Sequence, residues 1–419
     1  MSQEKSECSY VACKRKPLES SEDGYCIFHA EAQDKGEKEF KEALENYVNE
    51  IKAMDLDYNF VDFVFTGSIN FKKHFRITVF KNAEFRGAEF RGDVDFWETE
   101  FYGGAGFALA KFYEDAKFER VKFHGEVRFA LTKFEYVSFR ETEFYGEARF
   151  NRTSFLKKAN FLLAKFHGGA DFEEVVFHGG VDFDKVDFGA RTYISPELTK
   201  GKISFAKADL ENISLGSLTL DKSAWIDFTG AKLRNTEIRR EDIEGHIREE
   251  RQKEFSKARE IYLLLKNNFH SIGRYNDESW AFRKEKEMER KSYFHRRSFL
   301  KWLGSMFLNI LYGYGEKPLR VIRSVLIEIV VFAFLFMILG IRTAENVALR
   351  HNILGLKSLP WRDLLDCLYF STVTFTTLGY GDFRPLEGWS RLIAGVEAFT
   401  GAFMMALFVY TFARRIGGR

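Results

Sequence analysis

The 419-residue sequence contains little proline and little cysteine, with 5 and 4 residues respectively. No proline lies between Pro17 and Pro196, as a backbone requires when nearly every N–H group donates to a hydrogen-bond ladder. Net charge is also low, because 63 basic residues offset 61 acidic residues and leave +2. This balance argues against a dedicated nucleic-acid-binding protein, so we expect no nucleic-acid partner.

The N-terminal residues lack the apolar segment and the small-residue cleavage site of a secretory signal. We therefore expect a cytosolic N-terminus. Enzyme signatures are missing as well, since no nucleophile with a base, acid pair or phosphate-binding loop stands out. We expect the protein not to be an enzyme.

Phenylalanine, in contrast, is abundant, with 46 residues, and aromatic residues make up 16% of the chain. A chain with so many large apolar rings can bury enough surface to offset its ordering entropy, which excludes an intrinsically disordered protein. The length allows two to three domains.

Three of the four cysteines lie near the N-terminus and are followed by a histidine, in a C-x4-C-x12-C-x2-H arrangement formed by Cys8, Cys13, Cys26 and His29. Thiolates and imidazole in this number suit tetrahedral Zn²⁺. Residues 1–30 are therefore predicted to be a zinc-binding segment that the metal stabilises. The alternative is a set of unrelated reduced thiols in an unstructured tail.

The next segment, residues 31–56, has apolar residues at helical spacing, including Phe40, Leu44, Val48 and Ile51. This pattern predicts an amphipathic helix that caps the region following it.

From Phe80 onward, phenylalanine recurs at spacings of five or six residues only, at positions 80, 85, 90, 96, 101, 107, 112, 118, 123, 129, 134, 139, 144, 150, 155, 161, 166, 172, 177, 183 and 188. A small or β-branched residue stands two positions before each ring from Phe85 on. Such a period is neither helical nor a simple strand alternation, so the chain must turn a corner in every unit to bring each ring inward. Stacked corners form a solenoid.

The units Ala83-Glu84-Phe85 and Ala88-Glu89-Phe90 resemble those of the pentapeptide-repeat proteins. The resemblance implies a right-handed quadrilateral β-helix over residues 57–240, with leucine replacing phenylalanine near Ile203 to Ile238. The extra residue in many units predicts coils of about 22 residues with a bulge at alternate corners.

Two functions are open for this solenoid. Some pentapeptide-repeat proteins mimic duplex DNA, which needs a strongly acidic face, but here acidic and basic residues alternate. A rigid scaffold or regulatory domain that binds an unknown cytosolic ligand or protein is the favoured interpretation.

Residues 241–316 predict an amphipathic helical linker, broken near Gly273 and ending in an apolar stretch suited to a membrane interface. Residues 317–419 follow with two apolar runs, about 321–341 and about 389–413, each long enough to span a bilayer. The segment between them is too short to cross twice, so a re-entrant pore helix at about 362–375 is expected.

The segment from Thr377 to Asp382 reads T-L-G-Y-G-D and resembles the signature of two-transmembrane, pore-loop potassium channels over residues 321 to 415. The resemblance implies a K⁺-binding filter at 376–381, formed by Thr377, Leu378, Gly379, Tyr380 and Gly381. Thr376 and Asp382 are expected to support the filter. Glu397 is expected to hydrogen-bond behind the filter or toward the pore helix, because a buried acid within a membrane span is functional by default. Leu378 replaces the usual valine, and Val373 stands where some members carry an acid.

The resemblance further implies a gating hinge at Gly401, with close helix packing as the alternative, and a lower pore lined by Met405, Val409 and Phe412. Basic residues near the ends of the spans, including Lys317, Arg320, Arg414 and Arg419, place both termini in the cytosol.

One filter needs four loops and this chain has one, so we expect a homotetramer in the plasma membrane, in contact with lipid. The sequence thus predicts a potassium-selective channel with a cytosolic pentapeptide-repeat domain, K⁺ as the permeant ion and Zn²⁺ as a cofactor. The alternatives are a non-selective cation channel, or a membrane-tethered interaction scaffold with a vestigial pore.

Overall fold

The chain folds into a stack of short parallel strands followed by a set of helices. The computed structural model describes residues 7–10, 13–189, 191–351 and 361–417. The chain divides into two compact units, Met1–Ala281 and Phe282–Arg419. The helices are α1 Glu37–Met54, α2 Phe71–Phe75, α3 Arg240–Ile243, α4 Arg248–Arg251, α5 Phe255–Ser271, α6 Tyr275–His295, α7 Phe299–Tyr312, α8 Pro318–Leu339, α9 Trp361–Phe375 and α10 Trp389–Gly417, with 3-10 turns at Ala32–Asp34 and Gly313–Gly315.

Parallel β-strands stack from Tyr58 to Asp227 as a β-solenoid of about eight turns, which confirms the predicted fold class. The first sheet consists of Tyr58–Asn59, Ala83–Glu84, Ala105–Gly106, Val127–Arg128, Ala148–Arg149, Ala170–Glu173, Tyr193–Ser195 and Ser214–Leu215. The second consists of Val64–Phe65, Ile69–Asn70, Glu89–Phe90, Val94–Asp95, Lys111–Lys117, Lys133–Ser138, Ser154–Phe155, Ala159–Asn160, Val176–Phe177, Val181–Asp182, Leu198–Thr199, Lys202–Ser204 and Trp225–Asp227. The third consists of Val79–Phe80, Glu100–Phe101, Lys122–Phe123, Glu143–Phe144, Lys165–Phe166 and Asp187–Phe188.

The inward-facing rings stack in four columns within the described residues, with centroid separations of 4.5 to 5.7 Å between coils. The columns are Phe60, Phe85, Phe107, Phe129, Phe150 and Phe172; Phe65, Phe90, Phe112, Phe134, Phe155 and Phe177; Phe71, Phe96, Phe118, Phe139, Phe161, Phe183, Phe205 and Phe228; and Phe80, Phe101, Phe123, Phe144, Phe166 and Phe188. Four columns agree with a four-sided coil.

The register confirms the predicted coil length and the extra residue. Phe112 pairs with Phe134, 22 residues further along the chain, and the register then shifts so that Asp115 pairs with Tyr136. One strand therefore carries one more residue than its partner, as in a β-bulge. At most corners where the next ring follows after five residues, the residue two places after the first ring has a left-handed backbone conformation, as at Arg120 with φ 55°.

Both ends of the solenoid are covered. At the N-terminal end, Phe40, Leu44, Val48 and Ile51 of α1 are buried, as their spacing predicts. At the C-terminal end, the Asn268 amide of α5 accepts a hydrogen bond from the Thr236 N–H at 3.0 Å and donates to its carbonyl at 2.8 Å. These contacts satisfy backbone groups that an open solenoid end would leave unpaired.

Arg251 of α4 adds further contacts at the same end. Its guanidinium donates to the carbonyls of Gly245, Lys222, Ser223 and Ala224 at 2.7 to 3.2 Å. Part of the predicted linker therefore caps the solenoid, because its helices carry the polar groups that match the last coil.

In the unit from Phe282 to Arg419, α8, α9 and α10 pack around the buried residues Ala333, Phe336, Met337 and Phe370. Gly340, with φ 99°, ends α8 before the predicted residue 341. A small antiparallel sheet of Ile341–Arg342, Ala348–Leu349 and Arg384–Pro385 joins the connections between these helices.

Glycines at one corner of the solenoid permit close coil stacking, and a matched pair tests this. A Cβ atom at Gly103 would lie 2.3 Å from the Lys81 carbonyl oxygen, whereas one at Gly104 would meet only the Glu126 carbonyl oxygen, at 3.9 Å. We expect Gly103→Ala to lower the local unfolding free energy by about 1–3 kcal/mol. Gly104→Ala should have little effect. Amide hydrogen exchange of the flanking coils measures both, and equal effects of the two variants would contradict the steric explanation.

Candidate functional site: the pore-loop region and the cysteine cluster

Helix α9, which the sequence predicts to be the pore helix, packs against both long apolar helices, α8 and α10. Phe370 of α9 meets Phe336 of α8 edge-on, with ring centroids 4.7 Å apart, and Cys367 is buried in the same cluster. The structure thus places α9 within one residue of its predicted bounds, at Trp361–Phe375.

The backbone after α9 alternates in conformation. Thr377, Gly379 and Gly381, every second residue, have positive φ angles of 57°, 52° and 80°. Glycine adopts such angles without strain, which gives a physical reason for two of the three positions. Single residues separate the three positive φ angles, so the backbone conformation alternates from residue to residue along this segment.

The end of the pore helix fixes the start of this segment. The Thr377 N–H donates to the Thr374 carbonyl at 3.0 Å, and the Leu378 N–H donates to the Val373 carbonyl at 3.1 Å. The Thr376 hydroxyl donates to the Thr372 carbonyl at 2.7 Å. Beyond this helix end, Leu378 and Tyr380 are 59% and 67% exposed in the single chain.

Asp382 is anchored from the pore helix. The Tyr369 hydroxyl donates to Asp382 Oδ2 at 2.7 Å, and the Phe383 N–H donates to Asp382 Oδ1 at 3.0 Å. Arg384 Nε donates to the Gly381 carbonyl at 3.3 Å. Val373 stands where some pore-loop channels carry an acid, and it offers no polar group. The polar contact to Asp382 comes from Tyr369 instead.

Glu397 of α10 is fully buried and faces the pore helix. One of its carboxylate oxygens accepts a hydrogen bond from the Ser371 hydroxyl, which also lies 2.9 Å from the Ile329 carbonyl of α8. The structure thus brings three helices together at this carboxylate.

Gly401 of α10 is packed against the end of α9. A Cβ atom there would lie 2.2 Å from the Phe375 carbonyl oxygen. Met405, Val409 and Phe412 continue along α10 and are 50%, 64% and 51% exposed in the single chain. The side chains from Arg414 onward, together with Arg419 and the residues 352–360, lie outside the described residues.

Sequence reasoning missed Tyr369, Ser371 and Arg384. Each is a polar residue of ordinary type within or beside an apolar segment, and its partner lies 3 to 26 residues away in the chain. The one signal in the sequence was Glu397, a carboxylate within an apolar span, which needs a donor when it is buried.

The N-terminal cysteine cluster forms a second candidate site. The ligand atoms of Cys8, Cys13, Cys26 and His29 all lie within 4.8 Å of one another. Cys13 Sγ and Cys26 Sγ are 3.8 Å apart, and His29 Nδ1 lies 3.3 Å from Cys26 Sγ and 3.7 Å from Cys8 Sγ. A tetrahedral ion with zinc–sulfur distances of about 2.3 Å separates two sulfurs by about 3.8 Å, so the four groups fit Zn²⁺.

Burial shifts the pKa values of two members of the cluster in opposite directions. Burial lowers the pKa of the His29 imidazole to about 4, so the ring is neutral at pH 7, as a ligand must be. Burial raises the pKa of the Cys26 thiol to about 12, so this thiol keeps its proton unless a cation replaces it.

The cluster is joined to the solenoid. The His29 ring stacks on the Tyr10 ring with centroids 4.1 Å apart, and the Tyr10 hydroxyl donates to Asp62 Oδ2 at 2.5 Å. The Val64 N–H donates to the Phe28 carbonyl at 2.8 Å. The segment that holds the cluster thus pairs with the first coil.

Comparisons with known proteins match a different family model in each of the two compact units. Residues 324–417 match the family model described as ion channel, and residues 107–154 and 150–194 match the model of pentapeptide repeats. The chain is 30% identical over 86 residues to Two-pore potassium channel 5 of Arabidopsis thaliana, a match that covers 20% of each chain.

Two further relatives are similar over shorter segments. Two pore potassium channel a of Oryza sativa subsp. japonica is 48% identical over 46 residues, 11% of this chain and 13% of that protein. Two-pore potassium channel 1 of Arabidopsis thaliana is 41% identical over 71 residues, 17% and 19% of the two chains. The chain thus spans about a fifth or less of the length of these relatives. No solved structure matches the chain significantly.

Two helices, Pro318–Leu339 and Trp389–Ala413, are long and apolar enough to cross a membrane. Together with the ion-channel match, they support a membrane protein.

The packing of Gly401 gives a matched test within α10. Gly401→Ala places a methyl group against the Phe375 carbonyl, whereas a Cβ atom at Gly395 meets nothing within 4 Å. We expect Gly401→Ala to lower the apparent melting temperature of the detergent-purified protein, by a loss of about 1–3 kcal/mol. Gly395→Ala should leave it unchanged or raise it slightly, because alanine favours the helix. If Gly401→Ala melts like Gly395→Ala, the close packing at Phe375 does not limit stability.

Proposed function

We propose that this chain, in which an ion-channel domain follows a pentapeptide-repeat solenoid, assembles into a homotetrameric potassium-selective channel. The observation that carries the proposal is the alternating backbone of Thr377, Gly379 and Gly381 at the end of a pore helix. Carbonyl oxygens presented in this way can replace the hydration shell of K⁺.

The exposure of the filter residues supports a homotetramer. One chain surrounds an ion on one side only, and its Leu378 and Tyr380 side chains are left largely uncovered. Four copies around one axis complete the ion sites, with the Tyr380 rings packed behind the filter. The Tyr369–Asp382 bond and the Ser371–Glu397 contact then hold each loop at its own pore helix.

The gate is assigned to the lower part of α10. The face that continues from Gly401 through Met405, Val409 and Phe412 lies beyond the end of the pore helix, where four copies of α10 can approach one another. Apolar side chains in a narrow pore close it by excluding water. In the structure, Gly401 lies against the Phe375 carbonyl. When α10 bends at Gly401 to open the gate, this contact is broken.

In this proposal both termini are cytosolic, the protein lies in the plasma membrane, and the solenoid is a scaffold or regulatory domain. Zn²⁺ bound by Cys8, Cys13, Cys26 and His29 is a structural cofactor. Its role is to fix the segment that pairs with the first coil, because so short a segment has little core of its own.

Ion selectivity tests the filter. In vesicles with opposed K⁺ and Na⁺ gradients, we expect the reversal potential to follow K⁺. Gly379→Asp or Tyr380→Val should abolish the selectivity, because each disturbs the carbonyl geometry. Leu378→Val is the control that should retain it, since valine is the usual residue at this position.

A conductance indifferent to the cation would leave a non-selective channel. No conductance under any condition would favour the membrane-tethered scaffold with a vestigial pore.

Metal content tests the cysteine cluster. We expect about one zinc per chain by elemental analysis, and loss of the metal in Cys8→Ser/Cys13→Ser because half of the ligand set is gone. Cys367→Ser, which alters a buried thiol far from the cluster in sequence, should keep its zinc. Equal metal content in all three proteins would contradict the site.

A further inference from the structure

The corner between α6 and α7 combines exposed rings with positive charge. Arg297, with φ 55°, breaks the chain between the two helices. A cavity of about 470 Å³ opens there, lined by Tyr293, Phe294, His295, Arg297, Phe299 and Trp302. The Phe294 and Phe299 side chains are 65% and 63% exposed.

The exposed rings continue along α7 as an apolar face. Leu300, Leu303, Phe307 and Ile310 are 47% or more exposed, with 83% at Leu300. From Ser292 to Gly315 the sequence has no acidic residue, while Arg296, Arg297 and Lys301 are basic. An apolar helix face with cations at one end and no anions is typical of helices that lie at a bilayer surface.

The C-terminal part of α7 is hydrogen-bonded to the start of the first candidate span. Arg320 of α8 donates to the Asn309 carbonyl at 2.6 Å, and the Ser324 hydroxyl donates to the Leu311 carbonyl at 3.2 Å. The exposed face therefore keeps its position relative to the span, at the level where that helix begins.

We propose that this corner binds an anionic phospholipid, with the phosphate at Arg297 and Lys301 and an acyl chain against the rings of Phe294, Phe299 and Trp302. The inference rests on the proposed membrane channel and adds a ligand class to it. A guanidinium suits a phosphate, because its donors form a planar fork.

Charge selects this occupant over two others. If the same corner of a second copy met this one, it would bring the same cations, and like charges would repel. A soluble phosphate would satisfy the cations but would leave the rings in water. A phospholipid meets both requirements at once.

The test uses the full-length protein in neutral detergent, with bound lipids counted by native mass spectrometry during titration with phosphatidylglycerol or phosphatidylcholine. We expect Arg297→Gln/Lys301→Gln to weaken phosphatidylglycerol binding roughly ten- to thirty-fold and to leave phosphatidylcholine binding unchanged. Arg362→Gln/Arg391→Gln, which removes two exposed cations elsewhere in the same unit, should bind like the unchanged protein. Phe299→Ser should weaken both lipids.

Three results would overturn the inference. The first is an unchanged preference for phosphatidylglycerol in Arg297→Gln/Lys301→Gln. The second is displacement of the lipid by inorganic phosphate at the lipid's own concentration. The third is efficient disulfide crosslinking of Leu300→Cys between two copies, with no lipid retained. Potassium flux in vesicles separates the two proposals, because flux without lipid preference contradicts only this one, and lipid preference without flux contradicts only the channel.

Discussion

The stacking of phenylalanine rings from coil to coil is the constraint on which the solenoid depends. Each ring in a column lies 4.5 to 5.7 Å from the next, so every coil must present its rings at the same places. Equal placement fixes the coil length, and the coil length fixes where the chain turns. The left-handed residues and the glycine corners follow from this requirement, because a four-sided coil this narrow leaves no other way to turn.

The same constraint explains how much of this unit was predictable. A ring every five or six residues is a local pattern, and it predicts the fold class, the coil length and the extra residue. The covered ends were harder to predict. The Asn268 amide that pairs with Thr236 lies 32 residues away in a helix of ordinary charged composition, and no spacing points to it. Long-range polar matches of this kind depend on tertiary geometry that a local pattern does not contain.

In the pore-loop region, too, some features could be predicted from the local sequence and others could not. The bounds of α9 and the left-handed angles at Gly379 and Gly381 follow from residue type, since hydrophobic length sets the helices and glycine permits the angles. Thr377 shares the left-handed conformation without being glycine, and only its hydrogen bond to Thr374 within the folded helix end explains that. The supporting contacts of Asp382 and Glu397 are the part that sequence could not supply, because Tyr369 and Ser371 are unremarkable until the three helices pack.

The covered solenoid ends have a further consequence. An uncapped β-helix exposes a row of unpaired backbone groups that matches its own opposite end, so identical molecules can add to one another without limit. In an oligomeric membrane protein, each assembly would carry several such ends, and end-to-end addition would link assemblies into a cross-linked array. The Asn268 amide and the Arg251 guanidinium bond to the last coil, so the backbone groups that they occupy are not open to a second solenoid.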